Sequence, residues 1–156
     1  MKKNIRMCLV MALVSVMTVS FNSCDDDRND TAKPKITLTE VGHDNSRHAH
    51  PGHDFHLEAD SVAEGLIRAI NVEIHQEDGS FEIEKSFVEG KYIGVRNVEF
   101  HEHIDIPENA PLGEYHLHLT VTDKEGQQSV AQEHINIVED DGDDDDDDDH
   151  DHDHLD

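Results

Sequence analysis

The chain has 156 residues, a formal net charge of −25, 14 His against 12 Lys plus Arg, no Trp and two Tyr. Such an acidic balance opposes binding to nucleic-acid phosphates, which takes basic patches, and favours cations or plain solubility. Nucleic acid is therefore excluded as a partner, and the length allows one domain with a core but hardly two.

Chain order starts with Lys2, Lys3 and Arg6, then an apolar run over residues 7–19, then Ser20-Phe21-Asn22-Ser23 before Cys24. This is the layout of a secretory signal. The run is broken by Ser15 and Thr18 and falls short of the about 20 apolar residues that a membrane-spanning helix needs. Residues 1–23 are expected to be a signal peptide that is removed. A small residue directly before Cys resembles the bacterial lipobox, so Cys24 is the expected lipidation site. Phe21 and Asn22 depart from its strictest form, as in the looser versions of Bacteroidetes-type lipoproteins. More than one acyl chain on Cys24 would give a stable anchor, since each buried methylene adds about 0.8 kcal/mol. Cys8 leaves with the leader and Cys24 is acylated, so no disulfide is expected. Asp25, Asp26 and Asp27 resemble the acidic signal that sends such lipoproteins to the cell surface. The expected location is thus the cell envelope, on the outer membrane and surface-exposed. In other Gram-negative bacteria an early Asp means inner-membrane retention, which leaves the leaflet open.

Residues 24–34 are polar and end in Pro34, which reads as a tether. The domain is expected over residues 35–138. Two-residue alternation runs through Ile36 and Leu38, then Phe55, Leu57 and Ala59, then Ile70, Val72 and Ile74, then Val98, Phe100, Ile104 and Ile106. These are half-buried strands. A short helical turn is expected over residues 61–69, and Phe81, Ile83 and Phe87 suggest a further strand. Tyr115, Leu117, Leu119 and Val121 share a face, followed by the turn Asp123-Lys124-Glu125-Gly126 and a return strand with Ile135 and Ile137. That is a terminal hairpin. Short strands with turn residues between them predict an all-β antiparallel sandwich. The run from Gly113-Glu114-Tyr115 to Thr122-Asp123 resembles the sixth strand and following turn of immunoglobulin-like domains, with Tyr115 as the corner tyrosine.

The histidines are clustered. His48, His50, His53 and His56 crowd the entry to the second strand, His75 ends the third, His101 and His103 share a later strand, and His116 and His118 lie on the hairpin. Strand residues two apart point the same way, about 6.6 Å apart, and a neighbouring strand is about 4.8 Å away. Imidazoles from two strands can therefore converge on one ion, as zinc sites require. In immunoglobulin-like topology the sixth strand pairs with the third and seventh, and the second with the fifth. His116 and His118 would then neighbour His75 and His134, while His101 and His103 would neighbour His53 and His56. Asp54, Glu99, Glu102 and Asp105 are carboxylates that could complete coordination or orient a ring. For any one His-x-His pair, polar residues on a wet sheet face are the better reading; two pairs plus a four-His loop favour metal.

Residues 139–156 hold 13 acidic residues, no Lys or Arg, seven consecutive Asp and then His150, His152 and His154 alternating with Asp. Such a segment cannot build a core and is expected to be disordered. Its His end suits Zn, Ni, Cu or Co, and its Asp run weak Ca binding. Gly-x-Ser-x-Gly, a phosphate-binding loop and a His-Glu-x-x-His helix are all absent from the sequence, so no enzyme is expected.

The pattern His50-Pro51-Gly52-His53-Asp54-Phe55-His56, Val72-Glu73-Ile74-His75, Phe100-His101-Glu102-His103-Ile104-Asp105-Ile106-Pro107 and Gly113-Glu114-Tyr115-His116 resembles a Bacteroidetes-type lipoprotein family of unknown function with an immunoglobulin-like fold. The resemblance implies fold and anchoring but no activity. The expected function is a lipid-anchored protein that binds divalent transition metal, zinc first, in acquisition or buffering beside an outer-membrane receptor or transporter. A structural or adhesive module for protein or glycan is the other reading, weakened by the scarcity of aromatic residues.

Overall fold

The computed structural model describes residues 31–140. Alternating burial organises it. In β3 (Asp54–Val62) and in β7 (Gly113–Asp123) as far as Val121, every second side chain is withdrawn from solvent while the intervening ones stay half-buried or exposed. The same two-residue period shapes β1 (Lys35–Val41), β4 (Ile67–Gln76), β6 (Asn97–Asp105) and β8 (Gln128–Ile137). It is the pattern of a sheet with one dry and one wet face. A six-residue edge strand, β5 (Glu82–Phe87), and a two-residue strand, β2 (His48–Ala49), complete the set.

Two sheets result, a three-stranded one in the order β1-β3-β6 and a five-stranded one in the order β2-β8-β7-β4-β5. All pairings are antiparallel except β2 with β8, which is parallel. The sheets close on Phe55, Leu57, Phe100 and Ile104 from one side and Ile70, Ile74, Leu117, Leu119 and Ile135 from the other, each at most 1 % exposed. The expected sandwich and its pairings are therefore present, with β7 between β4 and β8 and β3 beside β6. Tyr115 takes the corner role: its hydroxyl donates to the Pro111 carbonyl at 2.8 Å, and burial raises its pKa above the usual phenol value.

One feature differs from expectation, and another has no signal in the sequence. Residues 61–69 form no helical turn: Ser61 and Val62 finish β3, a turn closed by Leu66 N–H on the Ala63 carbonyl follows, and β4 begins at Ile67. The neighbouring segment explains it, because Ala63 and Ile67 give their N–H groups to the Arg96 and Val95 carbonyls and so withdraw them from an intrahelical ladder. The second is that the first strand changes sheets. After Val41 the chain turns through Gly42 (φ 72) and a short 3-10 segment, His43–Asn45, then joins β8 as β2.

Candidate metal centres on the two sheet faces

Because core residues occupy one parity of each strand, the intervening His and Glu residues are delivered to the outer faces. On the five-stranded sheet, His75 of β4 stands opposite His116 of β7, which stands opposite His134 of β8. The row places ring centroids 5.3 Å apart for His75 and His116, and 4.5 Å apart for His116 and His134. His118, two residues along β7, has its ring 5.0 Å from His75. Glu73 Oε1 lies 3.0 Å from His75 Nδ1, and Glu77 follows the end of β4, its N–H donating to the Glu114 carbonyl. Two trios emerge, Glu73 with His75 and His118, and Glu77 with His116 and His134; within each, one ligand atom per residue lies within 4.8 Å of the others. Glu82 and Glu84 of β5 stand across from His75 and Glu73 and add negative potential.

On the three-stranded sheet, His56 of β3 opposes His103 of β6, and Glu58 opposes His101. The His56 ring is 4.8 Å from that of His101 and 5.0 Å from that of His103. Glu58 Oε1 takes both His56 Nε2, at 3.2 Å, and His101 Nδ1, at 2.7 Å. Asp54 pairs with His103. Again two trios form, His56 with Glu58 and His101, and His56 with Glu40 and His43.

Of the expected candidates, His56, His75, His101, His116 and His118 enter these trios. His103 contributes only through Asp54 and ring contacts among the described residues. The four-His loop does not act together. His53 sits one residue before β3, at the parity opposite His56, so it does not join His101 and His103. It pairs instead with Asp140, at 3.3 Å, while His50 Nδ1 lies 3.2 Å from the Glu139 carbonyl. The two rings meet edge to face at 6.2 Å. His48 is exposed on β2, outside every trio found among the described residues. Glu102, expected as a ligand or ring partner, turns inward. It accepts from the Tyr92 hydroxyl at 2.7 Å and faces Lys91 and Lys85 at 3.7 and 4.0 Å. Burial raises the Tyr92 pKa. Glu99 and Asp105 are exposed on β6 and stand outside the trios. The sequence reading passed over Glu40, His43, Glu58, Glu73 and Glu77. Cys24, His150, His152 and His154 lie outside the described residues.

The groups share one end of the sandwich. Lys35 pairs with Val62, and a short turn joins Val62 to Ile67, so these mark a common pole. On β3 and β6 no His lies nearer that pole than the central Glu58 and His101 pair, and on β4 and β7 none nearer than Glu73 and His118. The eleven described histidines therefore lie at the middle of the sandwich or in the half remote from the N-terminal entry.

Residues 22–138 match a domain of unknown function, DUF4625. The chain belongs to that family. No curated protein matches it. Among solved structures, two crystal structures of OgpA from Akkermansia muciniphila are similar, the wild type and a catalytically inactive form in complex with an O-glycopeptide, glycodrosocin. Each is 15% identical with a TM-score of 0.49, covering 67% of this chain but 29% of OgpA. This DUF4625 chain thus spans less than a third of the OgpA structures.

Proposed function

We propose that this DUF4625 protein binds divalent transition metal at the cell envelope, with zinc as the preferred ion and Cys24 as its lipid anchor. The observation that carries the reading is the row His75, His116 and His134 with its flanking His118, Glu73 and Glu77. Four imidazoles and two carboxylates from three adjacent strands form two trios on one wet face. Zinc bonds imidazole at about 2.0–2.1 Å in tetrahedral sites, so donors around it stand roughly 3.4 Å apart. Separations up to 4.8 Å close to that by rotamer adjustment, without moving the strands. Each trio leaves a coordination position for water or an incoming ligand, the arrangement of a site that acquires and releases its ion.

The Asp and His residues beyond residue 140 would act as a second, weaker collector. Envelope placement would set the remote, His-bearing half away from the membrane, since the anchor enters at the Lys35 pole. Among the described residues the exposed large apolar side chains, Val62, Val88, Leu112 and Val130, sit on separate segments, which supports ion capture over protein docking. Calorimetric titration of the mature protein with zinc is the test. Micromolar or tighter binding that survives removal of the tail and weakens in His75→Ala/His116→Ala is expected. Absence of such binding in both the full and tail-less forms would overturn the proposal.

A further inference from the structure

The three-stranded face holds an arrangement with a conformational consequence. Strand β1 leaves its sheet at Gly42, and residues 42–47 carry the chain across to β8. Asp44, Asn45 and Arg47 all sit in left-handed backbone, at φ 53, 58 and 58, an unfavourable setting for side-chain-bearing residues. Side chains hold the crossover in place: Asn45 Oδ1 accepts from Val41 N–H at 3.0 Å, and Glu40 Oε1 accepts from Asp44 N–H at 2.9 Å. The detour puts the exposed His43 within reach of Glu40 and His56, their ligand atoms within 4.8 Å of one another.

His56 decides how many ions this face takes. A neutral imidazole has one lone pair and one N–H. Its Nε2 is 3.2 Å from Glu58 Oε1, and its Nδ1 is 3.9 Å from Glu40 Oε1. With Nε2–H donated to Glu58, the lone pair on Nδ1 faces Glu40 and the crossover. A carboxylate holding the far nitrogen of a ligating imidazole is the usual support of a metal-bound histidine. The second trio draws on the same His56 ring and the same Glu58, so the two compete for one ion.

We propose that Glu40, His43 and His56 Nδ1 form a single divalent-cation site, oriented by Glu58, whose occupation clasps residues 42–47 onto the three-stranded face. The proposal rests on the metal-binding reading above. Closing three donors around zinc draws His43 inward by about 1 Å and ties the strained crossover to β3 through a bond absent from the empty site.

Hydrogen exchange of the mature protein, with and without zinc, tests it. At free zinc a hundredfold above Kd, openings of residues 42–47 that release the ion become about a hundredfold rarer, so their exchange slows correspondingly. In His43→Ala, an exposed position whose loss spares the fold, that slowing disappears while the zinc effect around His75 and His116 stays. Glu58→Gln keeps the zinc-free exchange of residues 42–47 and weakens zinc at this site about tenfold. Protection around His75 and His116 without any change at residues 42–47 would overturn this site alone, as would persistence of the slowing in His43→Ala. No zinc effect at either face would overturn both readings.

Discussion

Tyr115 shows how one hydroxyl ties the corner of the sandwich. Its ring is fully buried and its hydroxyl donates to Pro111 O, so Tyr115→Phe leaves a carbonyl without its partner. A loss of about 1–2 kcal/mol is expected in urea unfolding. The same tyrosine sets an alkaline limit. Its folded pKa is raised by burial, as is that of Tyr92, so the native state keeps phenol protons that the unfolded chain sheds. That contribution is fully present below the unfolded value of about 10 and is lost as pH rises through the folded pKa. Stability should therefore fall above about pH 10, and Tyr115→Phe should flatten the fall. Gly65 is a steric requirement of a different kind. A Cβ there would stand 2.7 Å from Asp123 Oδ2 and 3.0 Å from its Cγ, and Asp123 is buried, with Oδ1 holding Gln127 N–H at 2.8 Å. Gly65→Ala should destabilise by roughly 1–3 kcal/mol, read as a lower urea midpoint.

At the scale of elements, the strands were legible because alternation and burial coincide: Phe55, Leu57 and Ala59, or Tyr115, Leu117 and Leu119, announce their dry face unaided. The immunoglobulin-like pairing of the third strand with the sixth placed His75 beside His116. The two-residue period also contained Glu58 two residues from His56 and Glu73 two residues before His75, positions that share their faces, whereas the carboxylates expected as partners were Asp54, Glu99, Glu102 and Asp105. His43 had no such signal. It reaches His56 because the chain turns at Gly42, whose N–H donates to the His56 carbonyl at 2.8 Å, before it crosses to pair with β8. Residues 61–69 misled for the reverse reason, as the expected helical turn yielded to hydrogen bonds with Val95 and Arg96. The testable consequence at this scale concerns the two faces. His75→Ala/His116→Ala should remove zinc from the five-stranded face and leave the His43 site intact, because the clusters lie on opposite sides of the core. Calorimetric stoichiometry checks this.

For the whole molecule, polarity is the main result. The chain enters at the Lys35 pole, the described histidines lie at the middle or in the other half, and residues 139 and 140 leave beside His50 and His53. Capture by a tail and retention by the sheet faces would then happen at the same end. Imidazole ligates only when deprotonated, so zinc affinity should fall steeply from pH 7.5 to 5.5, and titrations at the two values would show it. Resolving the ring nitrogens by NMR during a zinc titration addresses the central claim most directly. His75, His116 and His134 ring signals should shift with the first equivalents of zinc. Shifts confined to His150, His152 and His154, with the sheet histidines unmoved, would contradict it.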